Sequence, residues 1–291
     1  ELFEKLKIET VENYPSYLLN ILKSLAPKKC SKEPKVVILT PGSLNSAYYE
    51  HSFLADLMGV ELVQGTDLFV DESITYMKTT RGPEKVDIIY RRIDDKFIDP
   101  ITFDSSSLIG IPGLFDSYKS GNVNICSAPG SGIADDKAIY SYIPEIIKFY
   151  LGEEPILENV KTWRCCEEDA KKYVLNNLNK LVVKEVHGSG GYGLLIGSKS
   201  SKKEIEVFRK KILLNPANYI AQPVLELSSV PIFDKKKLSP RHVDLRPFCL
   251  VGANKTKLVD GGLTRVALNQ GSLVVNSSQG GGVKDTWILN E

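Results

Sequence analysis

The segment VVKEVHGSGGYGLLIG, residues 182–197, decides how the second half of the chain is interpreted. Gly188, Gly190 and Gly193 have the G-x-G-x-x-G spacing that occurs in dinucleotide sites and in kinase phosphate loops. A dinucleotide loop leads from a strand into a helix, whereas these glycines lead into another strand-like apolar run. A Walker A loop requires Gly-Lys-Ser/Thr, which does not follow here. The segment therefore predicts a β-hairpin with a glycine-rich tip.

A lysine lies on the strand that enters this hairpin. Side chains alternate along a strand, so Val182, Lys184 and Val186 share one face. An ammonium group on a largely apolar face is costly unless it meets an anion, and Lys184 is therefore a candidate phosphate ligand. A solvated lysine beside a turn is the alternative. A protein kinase has its lysine after the glycine loop, followed by H-R-D and D-F-G, and this chain has neither arrangement.

The composition is that of an ordinary globular protein. The chain has 291 residues, of which 42% are hydrophobic and 25% are charged, with a formal net charge of +1. The length suggests two domains, and the balanced charge gives no case for a nucleic-acid or membrane partner. Five cysteines without a zinc spacing indicate reduced thiols and a cytoplasmic location. Because the first residue is Glu1, we expect a fragment or a processed form.

The sequence predicts an α/β region in the first part of the chain, followed by helices and then a series of strands. Strand patterns at 35–42 and 85–93, with a helix pattern at 43–59 between them, predict a small parallel α/β layer. Helices are predicted at 135–152, with Asp135 or Asp136 as the N-cap and Gly152 as the stop, and at 167–178 and 202–214. Further strands are predicted at 219–227, 242–252, 256–262, 264–268 and 272–278.

Polar side chains recur on these later strands. HVDLRPF places His242, Asp244 and Arg246 on one strand face, as expected for a strand that lines a phosphate-binding cleft. The alternative is a surface face with an internal Asp244–Arg246 pair. Arg265 lies on a second strand. Asn276 precedes a second glycine cluster, where it is either a neutral ligand or a turn residue.

Seven segments in this order resemble the circularly permuted ATP-grasp proteins (type 2), which are similar to glutathionylspermidine synthase. They are RRIDDKFIDP, IADDKAIYSYIP, FYLGEEP, KEVHGSGGYG, HVDLRPF, GGLTRVAL and VVNSSQGGGVKDTW. The resemblance covers nearly the whole chain and implies an α/β (α+β) ATP-grasp fold. It implies a small α/β pre-ATP-grasp-like domain at 1–130, contributing to the acceptor site, and an ATP-grasp region at 131–291 with two subdomains and a hinge near 219–227.

The resemblance also implies roles for individual residues. Two lysines reach the nucleotide phosphates, the glycine hairpin closes over them, and hinge residues read the adenine. These cofactor-binding residues are Lys137, Lys184, Gly188, Ser189, Gly190, Gly191, Gly193, Gln222 and Val224. As catalytic residues, Arg246 and Arg265 neutralise charge on the transferred phosphoryl group. Asp244 and Asn276 are the candidate ligands of Mg²⁺.

The implied activity is that of an ATP-dependent carboxylate–amine (or thiol) ligase that acts through an acyl phosphate. Its cofactors are ATP and Mg²⁺, and its partners are small-molecule or peptide carboxylates and amines. Two departures stand out: Pro223 replaces the usual acidic hinge residue, and the family's acidic Glu-Asp-Asn-x-Arg segment is absent. We therefore also consider a truncated form and a non-catalytic module that binds nucleotide or a partner. A third alternative is a sugar- or peptide-modifying enzyme with purely structural glycines.

Overall fold

The chain forms two compact units. The computed structural model describes residues 5–30, 33–188, 193–234, 237–273, 275 and 281–290. Unit 1 comprises Glu1–Ser131, Pro247–Gly262 and Trp287–Glu291, and unit 2 comprises Gly132–Arg246 and Leu263–Thr286. The domain boundary near residue 130 and the hinge near 219–227 remain predictions.

Unit 1 is built on a four-stranded parallel sheet with the strand order β2-β1-β6-β7. Its strands are β1 (Val36–Leu39), β2 (Glu61–Val63), β6 (Ile88–Arg91) and β7 (Asn124–Cys126). A separate antiparallel sheet contains β3 (Leu68–Asp71), β4 (Ile74–Thr79) and β5 (Gly82–Lys85). The helices are α1 (Tyr14–Ser24), α2 (Tyr48–Met58) and α3 (Leu114–Lys119). The predicted parallel α/β layer is confirmed.

Both faces of the parallel sheet are buried, which explains why its strands are continuously apolar. Val37 and Ile89 face a core that includes Met77 of β4 and Leu114 of α3. On the other face, Ile38 packs in a cluster with residues of α1 and α2. Polar side chains can therefore gather at the ends of these strands and not on the faces of the sheet.

The first sheet of unit 2 has the strand order β10-β9-β11-β8. Its strands are β8 (Trp163–Arg164), β9 (Leu181–Glu185), β10 (Leu194–Ile196) and β11 (Tyr219–Pro223). The helices of the unit are α4 (Lys137–Tyr140), α5 (Ile143–Leu151), α6 (Glu168–Asn177) and α7 (Lys202–Leu214). Apolar residues of α6 and α7 pack with Val183, Leu195 and Ala221 on one face of this sheet. The helices predicted at 167–178 and 202–214 are confirmed.

The single helix predicted at 135–152 is wrong, because the segment forms two helices, α4 and α5. Pro144 lies in the first turn of α5, where its missing amide is tolerated but cannot continue the hydrogen-bond ladder of α4. The predicted ends are confirmed. Asp136 caps α4 through its side chain, and Gly152 ends α5 in the left-handed conformation with φ of 67°.

A further sheet has the strand order β12-β13-β14-β15. Its strands are β12 (Ser229–Asp234), β13 (Lys237–Val251), β14 (Thr256–Ala267) and β15 (Gly281–Lys284). The two strands predicted at 256–262 and 264–268 form one continuous strand, since glycine is also compatible with extended backbone. Ser272 and Leu273 are not in a strand, and most of the rest of the predicted strand 272–278 lies outside the described residues.

Within the described ranges, none of the helices combines the length and the apolar character that a bilayer-spanning segment requires.

Candidate nucleotide-binding site

The glycine segment joins two antiparallel strands, as the sequence predicted. Leu194 of β10 lies directly opposite Lys184 of β9. Val183 is fully buried in the core beneath α6 and α7, so Lys184 projects from the other face of the sheet. Lys184 is half-buried there, and its Nζ donates a hydrogen bond of 2.7 Å to Oε1 of Gln222 on β11.

Gln222 is itself held in place. Only 8% of the residue is exposed, and its Nε2 donates to Oγ1 of Thr162 at 2.9 Å. The Thr162 hydroxyl in turn donates to the carbonyl oxygen of Val160 at 2.9 Å. Because an ammonium group can only donate, the Gln222 amide must present its oxygen to Lys184. The chain of three hydrogen bonds fixes the position of the lysine.

Lys137 reaches the same strand from the first turn of α4. The Asp136 side chain accepts hydrogen bonds from the amides of Ala138 and Ile139 at 2.7 and 3.0 Å, which fixes the start of the helix. Nζ of Lys137 donates to the carbonyl oxygen of Val186 at 3.2 Å and also to that of Gly188. The structure thus brings together Lys137, the end of β9 and the first glycine of the hairpin.

The two ammonium groups act on each other. Burial lowers the pKa of Lys184, and the charge of Lys137 lowers it further. Among the described residues, neither lysine has a carboxylate within ion-pair distance; their partners are backbone carbonyls and one amide. Two cations held close together on neutral acceptors form a site suited to a polyanion, because an anion would relieve both burial and repulsion.

Gly193, at the far end of the hairpin, has φ of +66°. A Cβ atom at this position would lie 2.5 Å from Cδ of Glu185. The backbone amide of Glu185 donates to the Gly193 carbonyl at 3.2 Å, so the glycine closes the hairpin over that side chain. The predicted tip residues Ser189, Gly190 and Gly191 lie outside the described residues.

The remaining predicted residues lie on or beside other strands. On β13, Nε and Nη2 of Arg246 donate to Oδ2 of Asp244 at 3.2 and 2.9 Å, which is the internal pair considered as the alternative. Arg265 lies on β14 opposite Val283 of β15. Val224 directly follows β11 and is half-buried. Their roles toward a nucleotide stay predictions.

The predicted Mg²⁺ ligands are only partly within the described residues. The described residues include no group of three or more His, Cys, Asp or Glu side chains that could hold a metal ion. Oδ2 of Asp244 is bound by Arg246, and Oδ1 is buried without a hydrogen-bond partner in the described part of the chain. Asn276, the second predicted ligand, lies outside the described residues. Asp244 is thus bound to Arg246 in this structure, and its role as a Mg²⁺ ligand stays a prediction.

Sequence reasoning missed Thr162. Its segment reads as a connection between helices, and no spacing marks the threonine as a site residue. Strand β8 pairs antiparallel with β11, with Trp163 opposite Ala221, and this pairing brings Thr162 to Gln222. The contact depends on a non-local strand pairing and has no signal in the local sequence.

Related proteins share this sequence over almost its full length. Uncharacterized protein sll0335 of Synechocystis is 53% identical over 289 residues, which is 99% of this chain and 60% of that protein. Uncharacterized protein Rv2411c of Mycobacterium tuberculosis is 50% identical over 99% of this chain and 52% of its own length. A Frankia alni protein named "Putative glutamate--cysteine ligase 2-3" is 41% identical over 94% of this chain and 32% of its own length.

Among solved structures, the ATP-grasp ligase PsnB aligns with a TM-score of 0.38 and 11% identity, over 87% of this chain and 90% of PsnB. At that level the alignment adds nothing to the assignment. This chain spans about half to three-fifths of the Synechocystis and Mycobacterium relatives. The family model for circularly permuted ATP-grasp type 2 matches residues 1–267. The chain belongs to the circularly permuted ATP-grasp type 2 family.

Proposed function

We propose that this chain carries the nucleotide site of an ATP-dependent ligase that joins a carboxylate to an amine or a thiol. The observation that carries the proposal is the pair Lys137 and Lys184, two neighbouring cations without a carboxylate partner among the described residues. Family membership and the relative named as a glutamate–cysteine ligase support the reaction class.

The two lysines would bind the phosphate oxygens. Their present partners, the Gln222 amide and the carbonyls of Val186 and Gly188, are neutral, so each ammonium keeps its full charge for an anion. Hydrogen bonds from charged donors to phosphate are stronger than those to neutral acceptors. The Gln222–Thr162 chain orients Lys184 before the nucleotide binds, which reduces the entropy lost on binding.

In the proposed reaction, the terminal phosphoryl group moves to a substrate carboxylate, which yields an acyl phosphate and ADP. The amine or thiol then attacks the carbonyl carbon, and inorganic phosphate leaves as the amide or thioester forms. This chemistry relies on positioning and charge neutralisation. Arg246 and Arg265 are proposed to neutralise charge on the transferred group.

No protein nucleophile is required in this scheme. Burial raises the pKa of the Cys126 thiol to about 11 and that of Cys165 to about 12, so both stay protonated and unreactive at neutral pH. We assign no step to Mg²⁺; Asp244 and Asn276 are the residues that would hold it, as the resemblance implies.

The nucleotide assignment is tested with a Lys137→Ala/Lys184→Ala double variant. Each charge-assisted contact contributes about 1.5–3 kcal/mol, so we expect the variant to bind ATP about 100-fold more weakly or worse in titration calorimetry. The matched control is Lys203→Ala/Lys210→Ala, which removes two exposed lysines of α7 in the same unit. Unchanged ATP affinity in the first variant would refute the phosphate assignment.

A second candidate function is a module that binds nucleotide without catalysis. It is favoured by the ion pair that Asp244, the predicted Mg²⁺ ligand within the described residues, forms with Arg246. ADP release separates the two: the ligase must release ADP when ATP is supplied with L-glutamate and L-cysteine or with other carboxylate and amine pairs. ATP binding without ADP release from any pair, in the full-length protein, would favour the module.

A further inference from the structure

The parallel sheet of unit 1 contains a topological switch point, where successive strands are added on opposite sides of β1. From β1 the chain passes through α2 to β2 on one side, and it later enters β6 on the other side of β1. In open parallel sheets, ligands bind outside the carboxyl ends of the strands at such a switch point. The switch point here lies between the ends of β1 and β6, where Thr40 and Arg92 directly follow the strands.

Two consecutive arginines at this edge differ in how their guanidinium groups are used. Arg91 donates to the carbonyl oxygens of Ser127 at 2.6 Å and Ile93 at 2.8 Å, and it pairs with Asp95 at 2.6 Å. Only 11% of the Arg91 side chain is exposed. Its hydrogen-bonding capacity is consumed inside the unit, so it holds the loop after β7 in place.

Arg92 is exposed and has no such partners. Within the described residues, its one side-chain hydrogen bond goes to the Tyr90 hydroxyl at 3.3 Å, and no carboxylate lies within ion-pair distance. The guanidinium also lies over the Tyr90 ring, 5.7 Å from its centroid. The aromatic contact positions the group and leaves most of its donors unused.

Uncharged polar groups complete the edge. The buried Thr40 hydroxyl contacts Nδ1 of His51 at 3.0 Å and accepts a hydrogen bond from the Gly42 amide at 3.3 Å. Burial lowers the pKa of His51, the charge of Arg92 lowers it further, and Glu50 opposes the shift. His51 is thus neutral at neutral pH. The backbone amide of Arg92 donates to the carbonyl oxygen of Leu39 at 2.8 Å, which places Arg92 beside the β1 end of the switch point.

We propose that this edge binds a carboxylate group of the ligase substrate, with Arg92 as the group that recognises it and Thr40, Gly42 and His51 as its neutral surroundings. The planar guanidinium fork matches a carboxylate in a bidentate arrangement. The substrate class is an amino acid or a small peptide with a free carboxylate. This assignment rests on the proposed function, because the proposed ligase reaction is what requires a carboxylate substrate. The proposed carboxylate site lies in unit 1, whereas the lysine pair lies in unit 2.

The test is an NMR titration of the ¹⁵N-labelled protein with L-glutamate as the probe. We expect saturable shifts centred on the backbone amides of Thr40, Gly42 and Arg92. An Arg92→Gln variant should bind at least about tenfold more weakly, in line with the loss of a charge-assisted pair. Arg81→Gln is the matched control, since Arg81 is an exposed arginine of the same unit between β4 and β5.

Several outcomes would overturn the inference. They are no saturation up to roughly 50 mM L-glutamate, shifts centred elsewhere, or equal affinity in Arg92→Gln. Equal binding of glutamate diamide, which lacks both carboxylates, would do the same. ATP titration of the same samples separates the two proposals: if ATP binds but L-glutamate does not, only the carboxylate site fails, whereas a wild-type protein that does not bind ATP refutes the nucleotide site itself.

Discussion

Two sets of half-buried cations, one in each unit, have opposite kinds of partner. In unit 1, Lys35 pairs with Glu61 at 2.7 Å and Glu84 at 3.1 Å, and Arg91 pairs with Asp95. In unit 2, Lys137 and Lys184 lie close enough to repel each other and have only neutral partners in the described part of the chain.

This difference separates structural cations from binding cations. A paired cation has already offset part of its desolvation cost through the ion pair, and it holds two segments together. The desolvation cost of an unpaired cation is not offset until an external anion binds. Relief of that cost then adds to the free energy of anion binding. Arg91 and Arg92 repeat the same contrast inside unit 1, in consecutive residues.

The largest effect that we predict comes from breaking a structural pair. Arg91→Ala removes the partner of Asp95 and three carbonyl contacts around the β6 edge, and it should lower the free energy of unfolding by about 3 kcal/mol. Arg92→Ala should change it by less than about 0.5 kcal/mol, as for other exposed positions. Urea denaturation measures both. Equal losses for the two arginines would remove the distinction between them.

Much of this architecture can be predicted from local sequence. The apolar runs around Val37 and Ile89 predict buried parallel strands, and the run after Gly193 predicts a hairpin in place of a dinucleotide loop. Lys184 follows from strand alternation, and Asp136 follows from N-cap chemistry. Each of these predictions depends on neighbours within a few residues along the chain.

Features that depend on distant pairing could not be predicted. Thr162 reaches Gln222 only because β8 lies beside β11, and nothing near Thr162 in the sequence encodes that contact. The different environments of Arg91 and Arg92 depend on the loop after β7 and on Tyr90. The break between α4 and α5 had a local signal, Pro144, which the helical periodicity outweighed in our interpretation.

A smaller loss of stability is expected from a substitution at Gly193, which packs against Glu185, the carboxylate next to Lys184 in sequence. Glu185 lies on the opposite strand face, where it accepts a hydrogen bond from the Tyr219 hydroxyl at 3.3 Å beneath Gly193. Gly193→Ala should destabilise the protein by about 2 kcal/mol. The left-handed φ of +66° disfavours alanine, and the new methyl group forces the Glu185 side chain away from its hydrogen bond with Tyr219. Thermal or urea unfolding measures the loss.

Gly152 provides the matched control for this substitution. It has the same left-handed φ of +67°, but open space surrounds the position of its missing Cβ. Gly152→Ala should therefore show only the backbone penalty, about 1 kcal/mol. In a Glu185→Ala background, the loss caused by Gly193→Ala should fall to that of Gly152→Ala. If it does not, the overlap with Glu185 is not the cause.

The smallest effect is a difference in the sign of a pH dependence. The pKa of Lys184 is below its ordinary 10.5, because of burial and then Lys137. The unfolded chain therefore binds more protons between the lowered pKa and 10.5, and stability gains with rising pH through that window. For Lys35, burial lowers the pKa, but hydrogen bonds to Glu61 and Glu84 outweigh it and raise the pKa above 10.5. Its contribution is present below 10.5 and is lost as pH rises through the raised pKa.

This contrast is tested by measuring free energies of unfolding from neutral pH to above 10.5 and subtracting the value of each variant from that of the wild type. The wild type minus Lys184→Met difference should rise with pH, and the wild type minus Lys35→Met difference should fall. Subtraction is needed because the raised pKa values of the Cys126 and Cys165 thiols make total stability fall above pH 9.0 in every variant. If both differences change with the same sign, the charge of Lys184 is balanced by partners within the protein, as that of Lys35 is. The lysine pair would then be structural, and it would not be available to bind a phosphate.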